Sequence, residues 1–401
     1  MKLLVAMAAN PFNPQSGSEN IAFNNILRLS ENNSIDVVTF DIMNKKVVYE
    51  DKSIKLITVE KGRISNLLRS IFGMLYIFSV PVFTFVEMRK AVSALIARNR
   101  YDAVLLYELG AVQYCSESVY HNIILNIEDP QSIKTKRAAM LSVWPLTHKL
   151  LLLLRSRVES FYEKRILPKV AKVIFISKAD LDDMQDKGFR GNFGLVAYGT
   201  NQVKASEIVP YEKRVGGMIV FSGSMFHPPN IDGALFFLQQ IYPFVLEEYP
   251  SATLWIVGAN PDKRIVRAAE RFGERVVITG RVDNVSEYVK IAKVSICPIR
   301  LKIGVQTKIL EALSCGTPVV TTSAGNSGIR GVSGRDLWVE DEPSNFSSRV
   351  VSLLKGESWV RFSAAGRNIV AENFTWERSA AELERHIKEV CMNHGMPIPH
   401  L

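Results

Sequence analysis

The 401-residue chain reads as an α/β protein built from two Rossmann-like, doubly wound parallel-sheet domains facing across a cleft. Three observations predict this. Short β-branched runs alternate with helical segments from one end to the other, as in strand–helix–strand units. The runs are apolar on both faces, which suits parallel strands covered by helices on each side. The alternation breaks once, at the polar stretch "QVKASEIVPYEKRVGG" (202–217), which contains Pro210 and ends in Gly216-Gly217, and so reads as a linker between two series. The length suggests about two to three domains, and 47% hydrophobic residues are enough to bury large cores.

The first series begins with "KLLVAMA" (2–8). Its apolar run is too short for a signal peptide and stops at Asn10 and Pro11, so a buried first strand fits better. In the loop "NPFNPQSGSEN" (10–20), Gly17 and Ser18 open a helix with Glu19 in its first turn, and turn and N-cap chemistry alone explains them. Strands follow at "IDVVTF" (35–40) and "IKLIT" (54–58). The most apolar region is 67–90, with 16 uncharged residues from Ile71 to Val86 interrupted by Pro81. A membrane span needs about 20 residues, so no transmembrane segment is expected. Arg63, Arg69, Arg89 and Lys90 flank the run, and "LTHKLLLLLRSR" (146–157) repeats the apolar-plus-basic theme. Two readings stay open: buried helices, or an interfacial surface for anionic lipid. "DAVLLY" (102–107) leads to Glu108, "NIILN" (122–126) leads to Glu128 and Asp129, and "KVIFIS" (172–177) ends the series. A carboxylate just past a strand can deprotonate a hydroxyl within reach. Asp129 is the preferred base and Glu108 its rival, while Asp-Pro is also an ordinary turn opener.

The second series is "MIVFSG" (218–223), "ATLWIVG" (252–258), "RVVITG" (275–280), "KVSICP" (293–298), "TPVVTT" (317–322) and "DLWVE" (336–340). Its strand ends share a chemistry. Gly223 and Ser224 close the first, with a helix entered near Asn230 and Asp232. Gly258 closes the second, Gly280 and Arg281 the third, and "CPIRLKIGVQTK" follows the fourth. Glycines at such turns let a backbone approach a phosphate, and helix N-termini favour anions. One glycine after a strand is ordinary; several converging with Lys308 indicate an anion site. Lys308 and Glu311 lie three apart on one helix face. Alone they would read as a surface ion pair. Gly316 suits the C-cap of that helix, and Pro318 cannot continue it.

Charge narrows the partners. There are 49 basic and 40 acidic residues, for a net charge of +9 and pI near 9.2. Such a balance favours an anionic partner: nucleic acid, an acidic membrane surface or a phosphorylated small molecule. No dense basic run with interleaved aromatics occurs, so nucleic acid is not expected. Cys115, Cys297, Cys315 and Cys391 are widely separated without a C-x-x-C pair, and the six histidines show no metal spacing, with only His227 near a probable ligand loop. No metal, cofactor or disulfide is expected, and reduced thiols point to the cytoplasm. The absence of G-x-G-x-x-G after the first strand argues against a dinucleotide-dependent oxidoreductase.

Taken together, "FSGSM…PN.DG…F", "LWIVGANP", "VVITGRVDNVSEYVKIAKVSICPIR" and "GVQTKILEALSCGTPVVTT" resemble the donor-binding domain of the group 1 glycosyltransferases, which have the GT-B fold, and most closely the branch associated with exopolysaccharide synthesis. The resemblance covers about 218–380; the first half matches in outline, and "NFTWERSAAELERHI" is similar to the family's last segment, whose helix crosses back onto the first domain. It implies an acceptor-binding domain over 1–205, a nucleotide-sugar donor domain over 206–380, and a returning helix over 381–401. It also implies that Lys308 pairs with the donor diphosphate and acts in catalysis, that Glu311 bonds the ribose, and that the backbone at Arg281 and Val282 holds the base. Gly223, Ser224, Gly258, Gly304, Val305 and Thr307 would complete the donor site, with Gly17 against the diphosphate or sugar. One position departs: many relatives carry a glutamate eight residues before the second one, where this chain has Ile303. Arg300 and Lys302 nearby are either donor-binding cations or solvated loop charges. The expected activity is transfer of a hexosyl-type residue from a nucleoside diphosphate sugar to a glycan or lipid-linked acceptor in cell-surface polysaccharide synthesis, at the cytoplasmic face of the membrane or free in the cytoplasm. A catalytically inert nucleotide-sugar sensor or scaffold, and a sugar-nucleotide epimerase of similar fold, are the alternatives.

Overall fold

The computed structural model describes residues 1–14, 16–40, 52–60, 86–141, 143–302 and 304–393. The chain divides into two compact units, one of residues 1–136, 147–199 and 376–401, the other of 137–146 and 200–375.

The first unit holds a seven-stranded parallel sheet in the order β3-β2-β1-β4-β5-β6-β7. The strands are β1 (Lys2–Ala6), β2 (Ser34–Phe40), β3 (Ile54–Val59), β4 (Ala103–Tyr107), β5 (Ile123–Ile127), β6 (Lys172–Phe175) and β7 (Phe193–Leu195). Leu3 to Ala6 and all of β4 and β5 are buried on both faces, as the unbroken apolar runs require. The strand order reverses between β1 and β4, which pair in register from Leu3 with Ala103 to Ala6 with Leu106. In doubly wound sheets, ligands bind beyond the carboxyl ends of the strands at this reversal. β7 was not foreseen from the sequence; its three residues include Gly194 and pair with β6. The helix Trp376–Asn393 packs on the helix Gly17–Leu29, where Ser379 Oγ donates to Asn25 Oδ1 at 3.2 Å and Arg28 meets Glu377 at 2.7 Å. Trp376 leaves no room at Gly199, where a Cβ would lie 2.4 Å from the indole.

The second unit holds a six-stranded parallel sheet in the order β10-β9-β8-β11-β12-β13. Its strands are β8 (Met218–Ser222), β9 (Thr253–Val257), β10 (Val276–Gly280), β11 (Val294–Cys297), β12 (Val319–Thr321) and β13 (Trp338–Val339). Here the reversal falls between β8 and β11, so the loops after those two strands are the expected ligand position. The polar stretch before β8 is anchored by Arg214, 4% exposed, whose guanidinium donates to the carbonyls of Val209, Ala292, Cys315 and Gly316 and to Thr317 Oγ1. Five fixed donors in a planar fork match this set of acceptors, where a lysine would satisfy at most three. Gly316 takes φ +66° after the helix Thr307–Ser314, the left-handed cap its sequence position predicts. All four cysteines are free and buried.

Candidate functional site

In the second unit, three strand ends are laced together by backbone. Gly223 N donates to Val257 O at 3.0 Å, Gly258 N to Gly280 O at 3.2 Å, and Met225 N to Ala259 O at 3.1 Å. Gly258, at φ +152°, is so close to the preceding loop that a Cβ there would lie 1.8 Å from Gly223 O. That contact explains why the second strand must end in glycine. Beside this floor stands Lys308, in the first turn of the helix Thr307–Ser314. A Cβ on Gly223 would lie 3.0 Å from Lys308 Nζ, so the ammonium rests directly over the turn. The same ammonium lies 4.6 Å from the centroid of the Phe221 ring and donates to Asn230 Oδ1 at 2.6 Å. Burial pushes the Lys308 pKa down, opposed by the Cys297 thiol on β11.

Lys308 and Glu311 share the helix, yet the ammonium is bonded to Asn230 instead of to the glutamate, so the surface-pair reading of K-x-x-E does not describe them. Burial pushes the Glu311 pKa up. Arg300, which follows β11, is exposed but paired. Its Nε and Nη2 form a two-pronged pair with Asp232 at 2.8 and 2.6 Å, and the carboxylate is 2% exposed. Gly304 takes φ +54°, and a Cβ on Gly328 would come within 2.1 Å of its carbonyl oxygen. Val305 is half-buried and Thr307 exposed. Arg281 and Val282 sit in the turn between β10 and the helix Val285–Ile291, at the edge strand of the sheet and two strands from β8. Ile303 lies outside the described residues.

The structure therefore brings Gly223, Ser224, Gly258 and Lys308 together and adds Asn230 and Asp232, for which the sequence offered only a helix entry. Asn230 Nδ2 donates to Ser224 O at 2.9 Å while Oδ1 accepts from Lys308. The resulting cradle has half-buried turn backbone at Gly223 and Ser224, glycines that admit close approach and one ammonium, an arrangement suited to a phosphate-bearing ligand.

In the first unit, the loops after β1, β4 and β5 meet around Gly17. A Cβ on Gly17 would lie 3.1 Å from Glu128 Oε1, an oxygen that is buried and has no hydrogen-bond partner. Burial pushes the Glu128 pKa up to about 8, reinforced by Asp129, Glu108 and Glu19 and opposed by Lys134. Asp129, the preferred base from sequence, forms an ion pair with Lys134 at 2.8 Å. Burial works against the Lys134 charge, but Asp129, Glu128 and Glu108 together outweigh it and the pKa is raised. Glu108, at φ +73°, accepts from Ser18 Oγ at 3.1 Å. A non-glycine residue there is strained, a condition that concentrates at functional sites. Among the described residues, no group of three or more His, Cys, Asp or Glu side chains could hold a metal ion.

Comparison with known proteins bears on both halves. Residues 216–356, within the second unit, match the family described as "Glycosyl transferases group 1". A protein of Klebsiella pneumoniae, described as an uncharacterized 44.6 kDa protein in the cps region, is 23% identical over 223 residues, covering 53% of this chain and 55% of that one. The chain thus spans about half the length of the curated relative it matches. Solved structures resemble the whole chain. Sucrose-phosphate synthase from Thermosynechococcus elongatus superposes with a TM-score of 0.74 at 15% identity over 98% of this chain and 99% of the other. HepE of Anabaena, in complex with UDP and glucose, gives 0.69 at 14% over 97% and 100%. WaaG, a glycosyltransferase involved in lipopolysaccharide biosynthesis, gives 0.64 at 15% over 97% and 99%. At these identities the likeness establishes the GT-B fold.

Proposed function

We infer that this group 1 glycosyltransferase moves a hexosyl-type residue from a nucleoside diphosphate sugar to a glycan or lipid-linked acceptor in cell-surface polysaccharide synthesis. One observation carries the reading: Lys308 Nζ stands over the Gly223 turn, tethered to Asn230 at 2.6 Å, where the strand order of the second sheet reverses. An ammonium there would oppose the charge that grows on a departing diphosphate. Gly223, Ser224 and Gly258 would approach the phosphates, Gly304, Val305 and Thr307 would continue the site, and Glu311 would accept from ribose hydroxyls, with the base held at Arg281 and Val282. The UDP bound by HepE and the cps setting of the Klebsiella relative support the donor class and the pathway class.

Chemistry at the acceptor falls to the first unit. Glu128, with its raised pKa, exchanges a proton near neutral pH, as a group that relays one from an acceptor hydroxyl requires. Asp129, paired with Lys134, is the second carboxylate of that loop. Arg300 is committed to Asp232 and is a support for the donor loop more than a donor ligand. No metal or organic cofactor is needed for these steps.

Membrane docking is the finer part of the reading. Residues 61–85, the heart of the 67–90 run, lie outside the described residues. The helix Leu146–Ile166 buries Glu159 and Glu163 and turns Leu150, Leu154 and Phe161 outward at 54%, 51% and 69% exposure. With Lys149, Arg157 and Lys164 on the same helix, this face suits an anionic lipid surface carrying a lipid-linked acceptor. No helix among the described residues is long and apolar enough to cross a membrane.

A thermal-shift screen against UDP, GDP, ADP and dTDP, followed by product analysis with the matching sugar donor, tests the function. A binding nucleotide raises apparent stability by mass action, and slow release of that nucleoside diphosphate from its sugar donor separates an enzyme from an inert sensor. Binding of none of the four would overturn the donor-site reading.

A further inference from the structure

We propose that Asn230 is a positioning residue for Lys308: its side-chain amide spans from the Ser224 carbonyl to the ammonium, and its neutrality leaves the lysine's charge available to the ligand. The proposal rests on the donor-site reading above and adds to it a residue and a reason for its type.

The geometry is a two-sided clamp. Asn230 lies in the first turn of the helix Pro228–Phe236, which follows the β8 loop. Its Nδ2 donates to Ser224 O at 2.9 Å, and its Oδ1 accepts from Lys308 Nζ at 2.6 Å. A single side chain therefore ties the turn that would meet the phosphates to the cation that would meet them, across 78 residues of sequence. Asn230 is itself 8% exposed, and a Cβ on Gly223 would lie 3.0 Å from its Nδ2, so the amide is fixed by packing as well as by hydrogen bonds.

The choice of an amide follows from electrostatics. Lysine donors can be held by a carboxylate or by a neutral carbonyl. A carboxylate gives the stronger bond but cancels the charge; an amide oxygen orients the ammonium and leaves its net charge intact. The chain uses both solutions within one sheet end. Arg300 is held by the Asp232 carboxylate, two residues beyond Asn230 on the same helix, and is neutralised there. Lys308 is held by Asn230 and is not. The other groups around the ammonium are the Phe221 ring and the buried Cys297 thiol, whose pKa burial pushes up. No carboxylate partner of Lys308 is present among the described residues, and Glu311, one turn along, is not bonded to it.

The test compares Asn230→Asp with Asn230→Ala, reading Tm, kcat, KM and the pH dependence of affinity for the nucleoside diphosphate that stabilises the wild type. Asn230→Asp keeps the acceptor for Lys308 but makes it a carboxylate. Affinity should fall by about tenfold or more at neutral pH. The loss of affinity as pH rises, which reports deprotonation of Lys308, should move to more alkaline pH, because a neighbouring carboxylate raises the lysine pKa. Asn230→Ala releases the ammonium without neutralising it, so kcat should fall more than nucleotide affinity and the alkaline limb should move slightly to lower pH, opposite to Asn230→Asp, because the charged form has lost an acceptor. An asparagine that merely closed the turn would lower Tm equally in both variants and leave the pH dependence unmoved, and that outcome overturns the proposal. Failure of the wild type to bind any of the four nucleotides would instead overturn the donor-site reading on which it rests.

Discussion

Replacing Lys308 with methionine should separate catalysis from stability. Nζ makes one hydrogen bond, to Asn230 Oδ1, and lies 4.6 Å from the Phe221 ring; burial opposes its charge. Losing that charge-assisted bond costs about 1.5–3 kcal/mol. Against this, Met removes a desolvated charge and offers sulfur to the Phe221 ring, an interaction worth roughly 0.3–1.5 kcal/mol. The two sides nearly cancel, so Tm should move by no more than about 2–4 °C. Linkage gives the sign with pH. A lysine whose folded pKa is lowered binds fewer protons folded than unfolded, so wild-type stability rises as pH climbs from that lowered value toward 10.5. Any advantage of Lys308→Met is therefore largest at low pH and fades at high pH. The rate should respond very differently. Removing one preorganised electrostatic contact to a leaving group typically costs about 2.7–4 kcal/mol, or roughly a hundred- to a thousandfold in kcat. The assay is release of nucleoside diphosphate from the sugar donor, with melting curves on the same preparations. A variant that melts like the wild type and turns over within about threefold of it would refute the assignment.

Three further outcomes follow from the first unit. Glu163 is fully buried, accepts from Ser132 N at 3.2 Å and from Ser132 Oγ, and burial raises its pKa from 4.5 to about 7. The folded state thus holds a proton that the unfolded state has lost, and stability falls as pH rises across that window; Glu163→Gln should gain on the wild type by about 3 kcal/mol at pH above 7 relative to acid pH, and parallel pH dependences in urea melts would disprove this. Glu128→Gln should lower transfer more than Asp129→Asn while leaving nucleotide affinity unchanged, and the reverse order in kcat would return the base role to Asp129. Binding to phosphatidylserine vesicles should decline with ionic strength, retain a salt-resistant part and weaken in Leu150→Ser/Leu154→Ser; flotation assays in which the protein stays wholly unbound at low salt would remove the docking face.

What the sequence disclosed and what it withheld divide along the range of the interactions. Among the described residues, twelve of the thirteen strands were legible because a parallel strand buried on both faces must be apolar residue after residue, and that demand is local. β7 was not, because three residues around Gly194 become a strand only through β6 beside them. Gly223 and Gly258 were legible as strand-end turn glycines, since positive φ and close backbone approach leave few other residue types. Their partners were not. Asn230 and Lys308 are 78 residues apart, and Arg300 and Asp232 are 68 apart, so nothing in either neighbourhood marks the pairing. In the first unit, Glu128 and Asp129 are adjacent in sequence and chemically alike, and the fold alone distinguishes them: one carboxyl is buried against Gly17 without a hydrogen bond at Oε1, the other is paired with Lys134. The same logic separates Arg300 from Lys308, two of the cations after β11. Arg300 and Lys308 look equivalent as charges in a loop and a helix. Their partners make them different, because a carboxylate cancels the first while an amide preserves the second. Net charge in the sequence therefore overstates the unpaired charge at this sheet end, and the quantity that matters for any anionic ligand is the charge left after internal pairing.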